Sequence, residues 1–143
     1  MAPVTPQLTS HAIATLMPWI IQGIQLDFFV KRGVTQTQFL LLMAIHAHQR
    51  TTMGLLARNL HVRMPTATGI VDRLVRAGLV RRSPDSSDRR QVVVTLTAKG
   101  QQFIYQFQDI VRRRWEEVLR ALHPKELQTF HRVIVTLTQQ LKG

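Results

Sequence analysis

RMPTATGIVDRLVRAGLVRRSPDSSDRRQVVVTLTAKG, residues Arg63 to Gly100, is the stretch whose reading decides the fold. Its first part has helical spacing: Ala67, Ile70, Val71 and Leu74 form one apolar stripe, and Thr66, Thr68, Gly69, Arg73 and Arg76 fall away from it. Pro65 suits the first turn, where a missing N–H costs little. Ala77-Gly78 supplies the stop, because glycine takes the left-handed conformation that ends a helix. The face away from the stripe is small near its N-terminus and cationic further on. Such a face lets the backbone approach a nucleic-acid groove, with arginines in reach of phosphates.

Beyond the stop, Leu79-Val80-Arg81-Arg82 and Gln91 to Leu96 predict two strands, the second rich in β-branched residues. Residues 83–90 between them carry proline, serine and aspartate, which predicts a turn with Arg89 and Arg90 at the tip of a hairpin. A solvated basic surface is the plainer reading of this segment. The residues just upstream argue against it. Thr52 to Leu60, TMGLLARNL, predicts a short helix with Leu55, Leu56 and Leu60 on its apolar side, and His61-Val62-Arg63 is a short connector. Two helices joined by a tight turn, the second with a polar outer face, make a helix-turn-helix, and the hairpin makes it winged.

Further out the patterns are helical. Thr35 and Gln38 form a candidate capping box opening a helix from Gln36 to His48, with Phe39, Leu42, Met43 and Ile45 as its core face. Ile13, Leu16, Ile20, Ile24 and Phe28 predict one N-terminal helix, its apolar surface widened by Trp19, Ile21 and Phe29. Thr97 to Ala121 predicts a long helix through Phe103, Phe107, Ile110, Val111, Val118 and Leu119. After a break at His123-Pro124 another runs to the C-terminus on Leu127, Phe130, Ile134, Leu137 and Leu141. The predicted fold class is mainly α (α+β): a winged helix-turn-helix with a small β-hairpin wing between N- and C-terminal helices. Those outer helices could pack as a bundle within one chain or against a second copy. Their apolar faces exceed what one small wing domain can cover, which favours the second copy.

Composition limits the function. The 143 residues, 45% of them hydrophobic, allow one compact unit with a sizeable core. Nineteen basic residues, fifteen of them arginine, stand against eight acids for a net charge of +11. Arginine forks onto phosphate and guanine better than lysine does. Arg58, Arg63, Arg73, Arg76, Arg81, Arg82, Arg89 and Arg90 crowd into the central third, so a polyanion is the economical partner. With no cysteine there is neither disulfide framework nor thiol switch. The apolar run Ala12 to Val30 is interrupted by Pro18, Gln22, Gly23, Gln25 and Asp27, which speaks against a membrane span. No basic segment of a signal peptide precedes it, so a cytoplasmic location is expected. His46 and His48, two apart on a helix, point to different sides and suggest no metal site, and no cofactor is expected. The acids are dispersed and no nucleophile–base pair is evident, which argues against an enzyme.

The chain resembles the MarR family of bacterial transcriptional regulators. The resemblance rests on Thr37-Gln38-Phe39, Leu56-Ala57, Val71-Asp72-Arg73-Leu74, Gly78-Leu79-Val80, Asp88-Arg89-Arg90 and Leu96-Thr97-Ala98-Lys99-Gly100, in that order over roughly residues 35–100. It implies a homodimer in which the chain ends, residues 1–34 and 98–143, intertwine as a dimerisation region around a DNA-binding region of residues 35–97. It further implies that Arg90 enters the minor groove, oriented by Asp88, and that a small aromatic or phenolic ligand releases the DNA. Trp19, Phe39 and Met43 are candidates to line the ligand pocket, and each is also explained as simple core.

On a two-fold dimer the operator in double-stranded DNA should be a pseudo-palindrome with half-sites about 10 base pairs apart. Thr66 and Thr68 would touch base edges or thymine methyls, Pro65 packing alongside and Gly69 keeping the face small. Arg73 and Arg76 would grip phosphates and Arg89 the backbone. The alternative, a winged helix that only binds proteins, would call for an apolar or acidic recognition face, and these residues are neither.

Overall fold

The computed structural model describes residues 3–22, 24 and 27–142. In chain order the elements are α1 (Pro6–Gln22), α2 (Asp27–Arg32), α3 (Gln36–His48), β1 (Thr51–Thr52), α4 (Met53–Asn59), α5 (Met64–Arg76), β2 (Val80–Pro84), β3 (Val92–Leu96), α6 (Ala98–Leu119) and α7 (Pro124–Lys142). They divide into two compact units, residues 25–109 and residues 1–24 with 110–143.

The unit of residues 25–109 is the winged helix. Leu41, Leu42 and Ile45 of α3, Leu56 of α4, Ala67, Val71 and Leu74 of α5, Val93 and Val94 of β3 and Ile104 of α6 form its buried core. Each large apolar side chain so buried contributes about 1.5–3 kcal/mol of transfer free energy. Helix α3 opens on the capping box as expected: Thr35 accepts from the Gln38 N–H at 3.2 Å and the Gln38 side chain accepts from the Thr35 N–H at 2.9 Å. Its buried face differs from the expected one. Gln38 and Leu41 are inside with Leu42 and Ile45, while Phe39 and Met43 are half-buried. Phe39 instead stands edge-on to Phe29 at 4.8 Å and to Phe107 at 4.5 Å, in a ring cluster that also takes in Phe28 and Phe103.

The same cluster draws in the residues just beyond a break in the N-terminal apolar pattern. The N-terminal apolar pattern is not one helix through Phe28: α1 ends at Gln22 and α2 begins at Asp27. Ile24, expected on the stripe, sits in a bend and donates its N–H to Ile21 O at 2.9 Å, closing the last turn three residues back. Phe28 and Phe29 then pack among the rings of the winged unit. Gly23 and Gln25 lie outside the described residues.

The wing is part of a three-stranded antiparallel sheet of order β1-β3-β2. Strand β2 runs on through Ser83 and Pro84, paired with Val93 and Val92, so the turn is shorter than residues 83–90. Proline is tolerated there because it sits at the end of an edge strand. Strand β1 was not predicted. Two residues are too few to show alternation, yet Thr51 pairs with Val94 and Thr52 with Val93. Thr52 also caps α4, its hydroxyl accepting from the Leu55 N–H at 3.3 Å. On α4 the buried residues are Leu56 and Ala57, whereas Leu55 is exposed.

The segment Leu96–Gly100 fastens α6 to the end of α5. Gly78, at φ +75°, donates to Val75 O and Leu79 donates to Leu74 O, the paired bonds of a left-handed helix stop. The Thr97 hydroxyl donates to Gly78 O at 2.5 Å, the Thr97 N–H donates to Leu79 O at 3.1 Å, and Gly100 N–H donates back to the Thr97 hydroxyl at 3.1 Å. A Cβ on Gly100 would stand 2.0 Å from Leu79 O, so only glycine lets the first turn of α6 approach this closely.

In the other unit Ile20 is buried, while Ile13, Leu16, Ile21 and Trp19 of α1 are exposed. Arg114 donates to Trp19 O at 3.0 Å, and Trp115 lies 6.3 Å from Phe130. Helix α7 has no buried residue, and Leu127, Val133, Ile134, Leu137 and Leu141 along it are all exposed. Among the described residues no helix is long and apolar enough to cross a membrane.

Candidate nucleic-acid interface

Helix α5 buries Ala67, Val71 and Leu74 and thereby aims its other side outward. At 100° per residue, Pro65, Thr66, Gly69, Arg73 and Arg76 share that outer face. Pro65, Thr66, Arg73 and Arg76 are exposed, and a Cβ on Gly69 would meet nothing within 4 Å. Arg63 caps the helix without a side-chain hydrogen bond, so the N–H groups of its first turn are left for an outside acceptor. Thr68 lies at the edge of the face, half-buried, towards β2.

At that edge the structure differs from the sequence reading. Arg82, grouped there with the DNA-facing arginines, turns back onto α5. Its Nη1 donates to Asp72 Oδ1 in an ion pair, and its Nη2 donates to Thr68 O at 3.2 Å. Arg82 therefore braces wing to recognition helix. The signal was present: successive residues of a strand face opposite sides, so Arg81 and Arg82 could not both point outward. Arg81 is the exposed one.

The wing tip is built by its aspartates. Asp85 accepts from the Ser87 N–H and the Ser87 hydroxyl, both at 3.0 Å, and from Arg50 Nη2 at 2.9 Å. These contacts, the Ser87 N–H foremost, hold the Asp85 carboxyl below its ordinary pKa of 3.8. Asp88 Oδ1 accepts from the Arg90 N–H at 3.1 Å and Asp88 O from the Gln91 N–H at 2.9 Å, which closes the turn under Arg89 and Arg90. Both arginines are exposed and bear no ion pair among the described residues. Arg50, whose ion pair anchors Asp85, was missed because it lies 35 residues away in sequence.

Of the other expected site residues, Phe39 is engaged in the ring cluster, Met43 is half-buried on α3, and Trp19 is 65% exposed on α1. His46 faces two glutamines, Gln101 at 3.3 Å and Gln108 at 3.4 Å. Among the described residues no cluster of three or more His, Asp or Glu could hold a metal.

A short helix, a tight connector, a second helix with a cationic outer face and an arginine-tipped hairpin define a winged helix-turn-helix of the DNA-binding class. Residues 34–92 match the model of the MarR family. Over 136 residues, 95% of this chain and 79% of the relative, the chain is 25% identical to the uncharacterized HTH-type transcriptional regulator YfiV of Bacillus subtilis. Over 67 residues, 47% of this chain and 42% of the relative, it is 40% identical to the HTH-type transcriptional repressor NicR of Pseudomonas putida. The solved structure of a mutant of MepR from S. aureus, bound to an oligodeoxyribonucleotide, superposes with a TM-score of 0.66 at 20% identity, covering 97% of this chain and 99% of that one. Residues 34–92 thus carry a MarR-type DNA-binding winged helix, and the relative that the chain resembles over most of its length is named a transcriptional regulator.

Proposed function

We propose that the protein is a sequence-specific repressor that binds a pseudo-palindromic operator as a homodimer in the cytoplasm and is released by a small aromatic or phenolic ligand. The observation that carries the DNA-binding part is a segregation of charge. Residues 63–100 hold eight cations and three acids, and all three acids engage the protein's own groups: Asp72 with Arg82, Asp85 with Ser87 and Arg50, Asp88 with the Arg90 N–H. Arg73, Arg76, Arg81, Arg89 and Arg90 are left exposed.

In this reading Thr66 and Thr68 contact base edges, Pro65 packs beside them, and Gly69 lets the backbone come close. Arg73 and Arg76 bind phosphates, Arg89 the backbone, and Arg90 the minor groove, its main chain held by Asp88. Residues 35–97 are the DNA-binding region, and residues 1–34 and 98–143 dimerise. The exposed apolar row of α7 supports a second copy as partner, since a lone chain would leave it in water. Trp19, Phe39 and Met43 are the candidate contacts for the releasing ligand.

Footprinting on genomic fragments tests the reading. A protected, two-fold-related site with half-sites about 10 base pairs apart is expected. Uniform binding of unrelated duplexes would refute sequence specificity, and a monomer in sedimentation would refute the dimer.

A further inference from the structure

Within the unit of residues 25–109, a cavity of about 380 Å³ lies among the ends of α2 and α5 and the start of α6. Its polar lining is Arg32, Lys99, Gln102 and Gln106, and among the described residues no carboxylate lines it. Val34, Leu79 and Phe103 supply an apolar wall. Lys99, Gln102, Phe103 and Gln106 recur at three- and four-residue spacing, so α6 presents them on one side.

The two cations are held in place, and among the described residues neither meets a carboxylate. The Arg32 guanidinium lies 4.0 Å from the centroid of the Phe28 ring and donates to Gln106 Oε1 at 2.9 Å and to Phe28 O at 3.4 Å. Lys99 Nζ donates to Ala77 O at 2.8 Å. Every one of these acceptors is neutral, whereas Arg50, Arg82, Arg114 and Arg120 each meet a carboxylate. A guanidinium offers five N–H donors and an ammonium three, so both keep donors to spare. Two positioned cations and two amides in a concave site with an apolar wall already meet much of the ordering cost of binding an anion.

We propose that this cavity binds a small organic anion, a carboxylate or phosphomonoester head taken by Arg32 and Lys99, with a compact apolar body against Val34, Leu79 and Phe103. Phe39 and Met43 do not line it, so it is a separate site from the one suggested for the releasing ligand. It is also coupled to α5. Ala77 caps that helix, and an anion that draws Lys99 away removes a cation from the helix's C-terminal carbonyls, next to the Gly78 and Leu79 carbonyls that Thr97 holds. Any effect on operator binding rests on the repressor reading above; binding in the cavity does not.

Calorimetric titration of the full chain with benzoate, phenyl phosphate, inorganic phosphate and neutral benzamide tests the site. Benzoate or phenyl phosphate should bind one per chain, and the tighter of the two identifies the head group. Inorganic phosphate should bind more weakly, and benzamide should give no heat. Arg32→Gln and Lys99→Gln should each weaken binding about tenfold, the loss of one charge-assisted hydrogen bond. Gln102 is exposed and its side chain makes no hydrogen bond among the described residues, so Gln102→Glu should abolish binding while leaving the melting temperature unchanged. The amide resonances of Ala77 and Gly78 should shift with ligand. No binding by either organic anion at millimolar concentration would overturn the proposal, as would equal affinity in all three variants or equal binding of benzamide. A chain that bound no operator would refute the repressor reading and leave the titration to decide the cavity by itself.

Discussion

Alanine at Gly100 sets helix propensity against close packing. In a helix interior glycine is less favourable than alanine by about 1 kcal/mol, so propensity alone predicts that Gly100→Ala stabilises. The new Cβ would stand 2.0 Å from Leu79 O, 3.0 Å from Leu79 C and 3.3 Å from Leu96 Cδ2. Two of those atoms are backbone and cannot swing aside. Leu79 O also accepts the Thr97 N–H at 3.1 Å, so moving it loosens a bond worth about 1 kcal/mol. Overpacking of this kind costs about 1–3 kcal/mol, and here it comes with that bond and against the propensity gain. The net expectation is a loss of about 1–3 kcal/mol. With a urea dependence of about 2 kcal/mol per molar, the unfolding midpoint should fall by about 1 M at fixed protein concentration. Gly69→Ala is the control: its Cβ would meet nothing within 4 Å, so the midpoint should rise by the propensity term alone. A midpoint that rises for Gly100→Ala as it does for Gly69→Ala would refute the close-approach argument.

Further expectations concern the interface. Arg90→Ala should weaken operator binding by about 1–3 kcal/mol with dimer and fold intact, and an unchanged gel-shift titration would contradict its role in the groove. Log affinity should fall with log salt by about 0.9 for each phosphate neutralised; a flat response would exclude phosphate contacts by Arg73 and Arg76. Asp72→Asn should cost at most about 1 kcal/mol of stability, because both partners of its ion pair are partly exposed. Its effect on operator affinity should be non-additive with Arg82→Gln, and strict additivity would dismiss the helix-to-wing brace. The Asp85 carboxyl titrates below 3.8 in the folded chain, so what it adds to wing order is fully present above that value and lost as pH falls through the folded pKa. Amide exchange at Ser87 should quicken over that acid range in the native chain and show no such step in Asp85→Asn.

The parts legible in the sequence were those fixed by local chemistry. The Thr35–Gln38 box, the stop at Gly78 and the helix stripe of Ala67, Val71 and Leu74 depend on residues within a turn or two of each other, and all three stand where the spacing put them. What escaped was set by partners far along the chain. Strand β1 exists because β3, some 40 residues on, offers it an edge. The break after α1 accompanies Phe28 and Phe29 packing against Phe39, Phe103 and Phe107. Arg82 looked like one more DNA arginine because its neighbour Asp72 is ten residues away on another element. The exposed arginines of the outer face needed no such partner, which is why α5 and the wing tip could be drawn from the chain alone.

The same distinction changes how the charge of this protein should be weighed. A net +11 treats each acid as cancelling one cation wherever it lies. Across α5 and the wing the acids are instead committed to local geometry. Asp72 neutralises Arg82, itself turned inward, and Asp85 neutralises Arg50, outside the recognition segment. Asp88 is directed at a backbone N–H beneath Arg89 and Arg90. The outward-facing cations are therefore not ion-paired with these acids, and the positive charge of the segment is concentrated on the face formed by Arg73, Arg76, Arg81, Arg89 and Arg90. Since field strength at a surface depends on local charge rather than on the total, steering and phosphate affinity should follow those five arginines. Adding an acid elsewhere, for example by Gln140→Glu on exposed α7, should lower the net charge by the same unit as Thr66→Glu on the outer face yet change operator association far less. Equal losses from the two substitutions would mean that total charge, and not its placement by these three aspartates, governs the encounter with DNA.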